Sequence, residues 1–229
     1  NDMAKIPKKR KAVEAKVDHD KLYPINEAMS LVKEVNTANF DASVDLHVRL
    51  GVDPRKADQA IRGTVTLPHG TGKTKRVVVF CTPDKEQEAK DAGADEVGLD
   101  ELITKISGGW TDFDVAIATP TVMAKVGRVA RILGPRGLMP NPKMGTVTSN
   151  IGEAVKLVKS GQVQFKAEKN GIVQAGIAKS NFGAKNIVEN INSFVDTIKK
   201  SKPSGAKGTF IKKISLSSTM GVSVNCEIN

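Results

Sequence analysis

The chain has 229 residues, 39% hydrophobic and 26% charged, with a formal net charge of +10 and a pI of about 9.6. Such a composition argues against a disordered chain and supports a packed core in one large domain or two modest ones, while the charge selects polyanions as partners: RNA, DNA or anionic membrane. No stretch approaches the roughly 18 apolar residues of a membrane span, and the basic start, with no apolar run behind it, argues against a signal peptide.

The opening Asn1-Asp2-Met3-Ala4-Lys5 reads as a start at Met3 with two residues ahead of it that are left out of the fold reading. Lys5, Lys8, Lys9, Arg10 and Lys11 predict a basic arm that runs into a helix. A second helix is predicted from about Asn26 to Ala38, because Ile25, Ala28, Met29, Val32 and Val35 recur at helical spacing. Ser43 to Val52 then alternates: Val44, Leu46, Val48, Leu50 and Val52 share one face, and Ser43, Asp45, His47 and Arg49 the other. A strand of that kind belongs in an antiparallel sheet with one solvated face.

The texture changes at Arg76. Val77-Val78-Val79-Phe80 is apolar without alternation, as in a strand covered on both faces. A helix follows with Pro83 in its first turn and Gly93 past its end. Next come a short strand at Glu96-Val97, a helix from Asp100 to Ile106, a strand from Phe113 to Ala118 and a helix from about Thr121 to Leu133. A last helix begins at Asn150, with Glu153 at capping-box spacing, and closes at Gly161. Strands and helices alternating at this pitch make βαβ units and a parallel sheet.

Alternation returns after Gly161. Val163, Phe165 and Ala167 share one face, and Val173, Ala175 and Ile177 another. A three-residue loop Lys169-Asn170-Gly171 sets Ala167 opposite Val173 and Phe165 opposite Ala175, so Gly171 is expected in the left-handed conformation. A long amphipathic helix carries Ile187, Val188, Ile191, Phe194, Val195 and Ile198, and ends at Lys199-Lys200. The final strands hold Ile214 and Leu216, then Val222, Val224 and Cys226, around a turn at Thr219-Met220-Gly221.

The expected fold is therefore an α+β domain formed by both chain ends, 1–69 and 160–229, interrupted by an inserted α/β Rossmann-like three-layer domain over 70–159. The crossings fall at Pro68, His69 and Gly70 and at Ser160 and Gly161, which are expected to act as a hinge. Charge follows the same division. Residues 70–159 carry 13 Lys+Arg and 11 Asp+Glu, a net of +2, against 22 and 14, a net of +8, in the remainder.

Enzyme signatures fail on inspection. Gly70-Thr71-Gly72-Lys73-Thr74 ends like a P-loop, but Leu67 stands where the first glycine is needed and a strand follows instead of a helix. Cys81-Thr82-Pro83 replaces any dinucleotide fingerprint after Phe80. The histidines, His19, His47 and His69, lie apart; Asp112 and Asp114 flank a strand start; Cys81 and Cys226 read as unpaired, half-buried thiols. No catalytic residue, metal site or cofactor is expected. With seven Phe, one Trp and one Tyr, nucleic-acid recognition has to rest on backbone shape, the 2′-hydroxyl and charge more than on stacking. Phe40, before the exposed strand, is open to two readings, core packing or an RNA contact.

The run Gly127-Arg128-Val129-Ala130-Arg131-Ile132-Leu133-Gly134-Pro135-Arg136-Gly137-Leu138-Met139-Pro140-Asn141-Pro142-Lys143 resembles the signature of the bacterial L-one family of large-subunit ribosomal proteins. Arg62 to Gly70, Gly205-Ala206-Lys207-Gly208-Thr209-Phe210 and Ser218-Thr219-Met220-Gly221 are similar to other segments of that family, in the same order. The resemblance implies a ribosomal protein of the mobile stalk, bound to large-subunit (23S) rRNA among other ribosomal components. It also implies contact with E-site tRNA, repression of its own operon messenger, a cytoplasmic place away from membrane, and a monomer when free. Carried over residue by residue, the RNA-binding set is Asn39, Phe40, Ser43, Gln174, Lys179, Thr219, Met220 and Gly221. Asn39 departs from the basic residue of many relatives, and Val222 from a proline that pre-sets the turn. The turn interrupts two strands, so its backbone groups and the Thr219 hydroxyl are expected to be free for RNA, and Gly221 to allow close approach.

Overall fold

The structure, a computed structural model, describes residues 8–206 and 208–227; the expectations for Met3 and Lys5 lie outside them. The chain divides into two compact units, residues 1–72 with 163–229 and residues 73–162. In chain order, unit 1 opens with α1 (Lys8–Glu14), α2 (Ile25–Glu34), β1 (Ser43–Leu50) and β2 (Arg62–Thr66). Unit 2 carries β3 (Val77–Phe80), α3 (Glu86–Asp91), β4 (Glu96–Gly98), α4 (Asp100–Ser107), β5 (Val115–Ala118), the short helices α5 (Met123–Val126) and α6 (Ala130–Leu133), and α7 (Ile151–Lys159). The chain returns to unit 1 with β6 (Gln162–Lys166), β7 (Ile172–Lys179), α8 (Ala184–Lys200), β8 (Ile211–Ser218) and β9 (Val224–Cys226).

Unit 1 is built on a four-stranded antiparallel sheet in the order β7-β1-β8-β9. Alternation in β1 buries Val44, Leu46, Val48 and Leu50, while Ser43, Asp45 and His47 stay half-exposed and Arg49 exposed. The buried face joins one core with Ala28, Met29 and Val32 of α2 and Ile187, Ile191, Phe194 and Ile198 of α8. The long strand pairings and the shared core tie the N-terminal third of the chain to its C-terminal third. α2 stops earlier than its periodicity suggests, because the Asn36 side chain accepts the Ala38 N–H at 3.1 Å and turns the backbone out of the helix.

The hairpin expectation holds at its tip and fails beyond it. Gly171 is left-handed with φ 70, its N–H meets Glu168 O at 2.9 Å, and Ala167 bridges Val173. Phe165 does not pair with Ala175, because β6 leaves to form a separate two-stranded sheet with β2 and β7 pairs with β1. β2 is a strand the sequence reading missed. Its glycine explains the partnership: a Cβ on Gly63 would stand 2.8 Å from the Phe165 ring, which in turn meets Phe194 edge-on at 5.5 Å.

Unit 2 has a parallel sheet in the order β4-β3-β5. Val78, Phe80, Ala116 and Ala118 face α4 and the segment from Val122 to Leu133; Val77, Val79, Val115 and Ile117 face α3 and α7. Helices therefore cover both faces, which is why β3 and β5 are apolar throughout. The helix expected over Thr121–Leu133 is broken by a 3-10 turn at Gly127–Val129. No capping box forms at α7. The Asn150 amide bonds the Glu153 side chain at 2.8 Å, and Glu88 from α3 takes the Gly152 N–H at 3.1 Å. Both cysteines are fully buried rather than half-buried.

Candidate nucleic-acid interface

The solvated face of the unit 1 sheet is laid out by strand register. Ser43 pairs with Lys179, Asp45 with Ser217, His47 with Gln174 and Ser215, and Arg49 with Lys213. At one end β1 begins, β7 ends and β8 turns, which gathers Ser43, Lys179 and Thr219 from far-apart stretches of chain. Gly221 N–H donates to Ser218 O at 2.8 Å to close the turn, and Met220 takes φ 60 at its apex, 83% exposed. Phe40 is 58% exposed, just ahead of β1, so the core-packing reading of it is overturned; Asn39 is exposed beside it.

The contacts at this end correct the expectation for Thr219 and add detail to those for Gly221 and Lys179. Thr219 is not free: its N–H donates to Ser43 O and its hydroxyl accepts the Ser43 N–H, both at 3.0 Å, so the ladder continues through it. Gly221 is tightly enclosed by the chain itself: a Cβ there would fall 2.2 Å from Ser218 Oγ, so the serine side chain would have to turn away. Lys179 is half-buried and already donates to Asp41 O at 3.0 Å, which leaves part of its ammonium for other acceptors. Asp41 fixes the same corner by accepting from Ser180 Oγ and Asn181 N.

Gln174 is exposed at the other end of the face, 3.4 Å from Glu168 through its amide. It forms the lip of a groove of about 1200 Å³ lined by Pro54, Arg55, Arg62, Lys166, Glu168 and Lys169. Four basic side chains meet one acid there. Arg49 and Lys213, like charges in register on adjacent strands, continue the basic surface, and that opposition is unfavourable unless an anion sits across it. Sequence reasoning missed these residues. A readable signal exists in the Arg/Lys positions of β2 and β6, but it has no meaning until β2 is recognised as a strand.

The expected hinge residues are anchored within their own units. His69 N–H donates to Asn190 Oδ1 at 3.1 Å, Gly70 O accepts from Asn190 Nδ2 at 2.9 Å, and Asn190 is fully buried in α8. A 2.6 Å contact from His69 holds the Glu189 carboxyl below its ordinary value. Pro68 is exposed beside them. Ser160 and Gly161 finish α7, through bonds to Lys156 O and Val158 O. Asp112 and Asp114 fasten the start of β3: Asp112 pairs with the Arg76 guanidinium, which keeps its carboxyl low, and Asp114 accepts the Arg76 N–H, both at 2.8 Å.

Residues 32–222 match the model of the ribosomal protein L1p/L10e family. The chain is 58% identical over 225 residues to the large ribosomal subunit protein uL1 of Porphyromonas gingivalis, covering 98% of this chain and 97% of that one. It is 57% identical to the same protein of Christiangramia forsetii over the same shares, and 56% identical to that of Flavobacterium johnsoniae over 97% of each chain.

Proposed function

The chain belongs to the ribosomal protein L1p/L10e family, and from that premise we propose that it is a structural constituent of the large ribosomal subunit that binds 23S rRNA through unit 1. The observation that carries the RNA reading is the apolar pair at the end of the sheet, Met220 at 83% and Phe40 at 58% exposure, standing on a unit with a large excess of basic residues. Large apolar side chains held out from a rigid sheet end are suited to sugars and base faces. The groove cations Arg55, Arg62, Lys166 and Lys169 supply sequence-independent attraction to phosphate. Asn39, Ser43, Gln174, Lys179, Thr219 and Gly221 complete the proposed surface, with Thr219 and Gly221 shaping the turn rather than offering free groups.

The finer parts of the proposal rest on the family resemblance: a place on the mobile stalk, contact with E-site tRNA as deacylated tRNA leaves, and repression of the operon messenger through an RNA that mimics the rRNA site. They imply a ribosome-associated, cytoplasmic protein that is monomeric when free. Co-sedimentation with large subunits in low salt tests the central claim. Wild type is expected to pellet with subunits lacking their own copy, and the Phe40→Ala/Met220→Ala double variant to stay largely in the supernatant. A wild-type chain that remains soluble under these conditions would overturn the reading. Repression is tested separately: a reporter with the intact leader should fall with excess protein, and one with a scrambled leader should not.

A further inference from the structure

Two unfavourable features fall within one turn at the end of the unit 1 sheet. Met220 is the only non-glycine among the described residues with a positive φ, at 60. Ser218, two residues earlier, is 4% exposed, and its hydroxyl is the only buried side-chain nitrogen or oxygen among the described residues without a hydrogen-bond partner. A left-handed methionine costs backbone energy. A hydroxyl taken out of water without a partner costs desolvation energy. One substitution each would remove them, glycine or asparagine at 220 and alanine at 218. Strain of this kind persists only where the surroundings hold it, and it gathers at binding sites.

Strand position explains the burial of Ser218. Alternation along β8 puts it on the same face as Ile214 and Leu216, both in the core, and Val44 of β1 stands opposite it. Val222, which follows the turn, is in the core as well. The hydroxyl lies against Gly221. A Cβ on that glycine would lie 2.2 Å from Ser218 Oγ, 3.2 Å from Ser218 O and 3.4 Å from Ser218 Cβ. The serine oxygen therefore takes the space that a side chain at 221 would fill, and it backs the turn from the core side. Gly221 N–H donates to Ser218 O at 2.8 Å. Held by that bond and by the hydroxyl, Gly221 cannot sink toward the core. The backbone at Met220 is kept left-handed, with its side chain 83% exposed.

We propose that Ser218 is a positioning residue for the RNA contact at Met220: its hydroxyl is a spacer that holds the turn in a strained, pre-formed shape, lowering the stability of the free protein and raising its affinity for RNA. This role rests on the reading of Met220 as an RNA contact given above. With alanine at 218 the space behind Gly221 opens, the stranded hydroxyl is gone, and the turn can settle into a relaxed backbone. RNA then has to restore the outward shape, and affinity falls with the fraction of chains that hold it. No charge is lost, so the salt dependence of binding stays as it was. The test sets thermal melting of the full chain beside a titration with protein-free 23S rRNA across salt. Ser218→Ala is expected to melt at or above the wild-type temperature and to bind about fivefold more weakly, with an unchanged salt slope. Ser218→Thr, which keeps an oxygen at the γ position, is expected to bind as wild type does. Wild-type affinity in Ser218→Ala overturns the inference. So does weaker binding that comes with a lower melting temperature, since a merely structural serine moves both readouts together, and so does a Ser218→Thr variant as weak as the alanine one. Met220→Ala separates this failure from that of the underlying reading. If it too binds like wild type, the turn is not an RNA contact; if it binds weakly while Ser218→Ala does not, the positioning role alone fails.

Discussion

Thr219 and Met220 are neighbours with different work. The Thr219 hydroxyl accepts the Ser43 N–H at 3.0 Å, so Thr219→Ala is expected to strand that donor and to lower the stability of the fold by about 1–3 kcal/mol. Met220 has no such duty. Its side chain stands in solvent, and Met220→Ala is expected to change stability by no more than about 0.5 kcal/mol while weakening rRNA binding. Thermal melting set beside an rRNA titration separates the two; equal melting temperatures for both variants would mean that the bond from Ser43 carries no load. Cys226 supplies a pH prediction. Burial pushes its thiol from 9.0 up to about 11. Above about 9 the unfolded chain can release this proton and the folded chain cannot, so stability is expected to fall as pH rises from there towards about 11. Cys226→Ala should flatten that part of a plot of melting temperature against pH, and a thiol reagent near neutral pH should label Cys226 no faster than the chain unfolds.

At the scale of elements, turns were more legible than pairings. The left-handed Gly171 followed from matching apolar faces across the 169–171 loop, and the structure has it at φ 70 with Val52 O only 3.1 Å from where a Cβ would lie. Gly171→Ala is therefore expected to cost at least about 1–2 kcal/mol for the left-handed backbone alone, read as a lower denaturant midpoint with an unchanged slope. The continuation of β6 could not be read in the same way, because its alternation suits any partner that offers an apolar face. β2 escaped notice for a related reason: Arg62-Gly63-Thr64-Val65-Thr66 has one fully buried apolar residue, Val65, and becomes a strand through Phe165 lying over Gly63. The α7 start shows a distant residue displacing a local motif, since Glu88 is in place to meet the Gly152 N–H.

For the whole molecule, each unit has its own core, and the unit 1 core draws on both ends of the chain, from Val17 to Cys226. Phe194 lies at the centre of that core, fully buried and edge-on to Phe165. Phe194→Ala is expected to cost about 3–5 kcal/mol. The single tyrosine, Tyr23, belongs to unit 1 and bridges Cys226, while the single tryptophan, Trp110, lies in unit 2 against Phe113. Tyrosine emission thus reports unit 1, and the variant should lower the unfolding transition it follows. A tyrosine-reported transition that does not move would mean that Phe194 is not central to the unit 1 core.

What the sequence determined by itself was the face each segment presents: the alternation of β1, the unbroken apolar runs of β3 and β5, and the helical stripe of α8 all fix which side is covered. The basic excess and the turn at residues 219–221 were equally plain in one dimension. Only the tertiary structure decided which strands meet, and so which residues share a site. Ser43, Lys179 and Thr219 come together because β1 lies between β7 and β8. The same pairing commits the Thr219 hydroxyl to Ser43 instead of leaving it for RNA. The physical reason is that side-chain periodicity encodes burial, whereas strand order is set by packing among segments far apart in the chain, where a single bulky ring such as Phe165 or a missing Cβ such as that of Gly63 selects the neighbour.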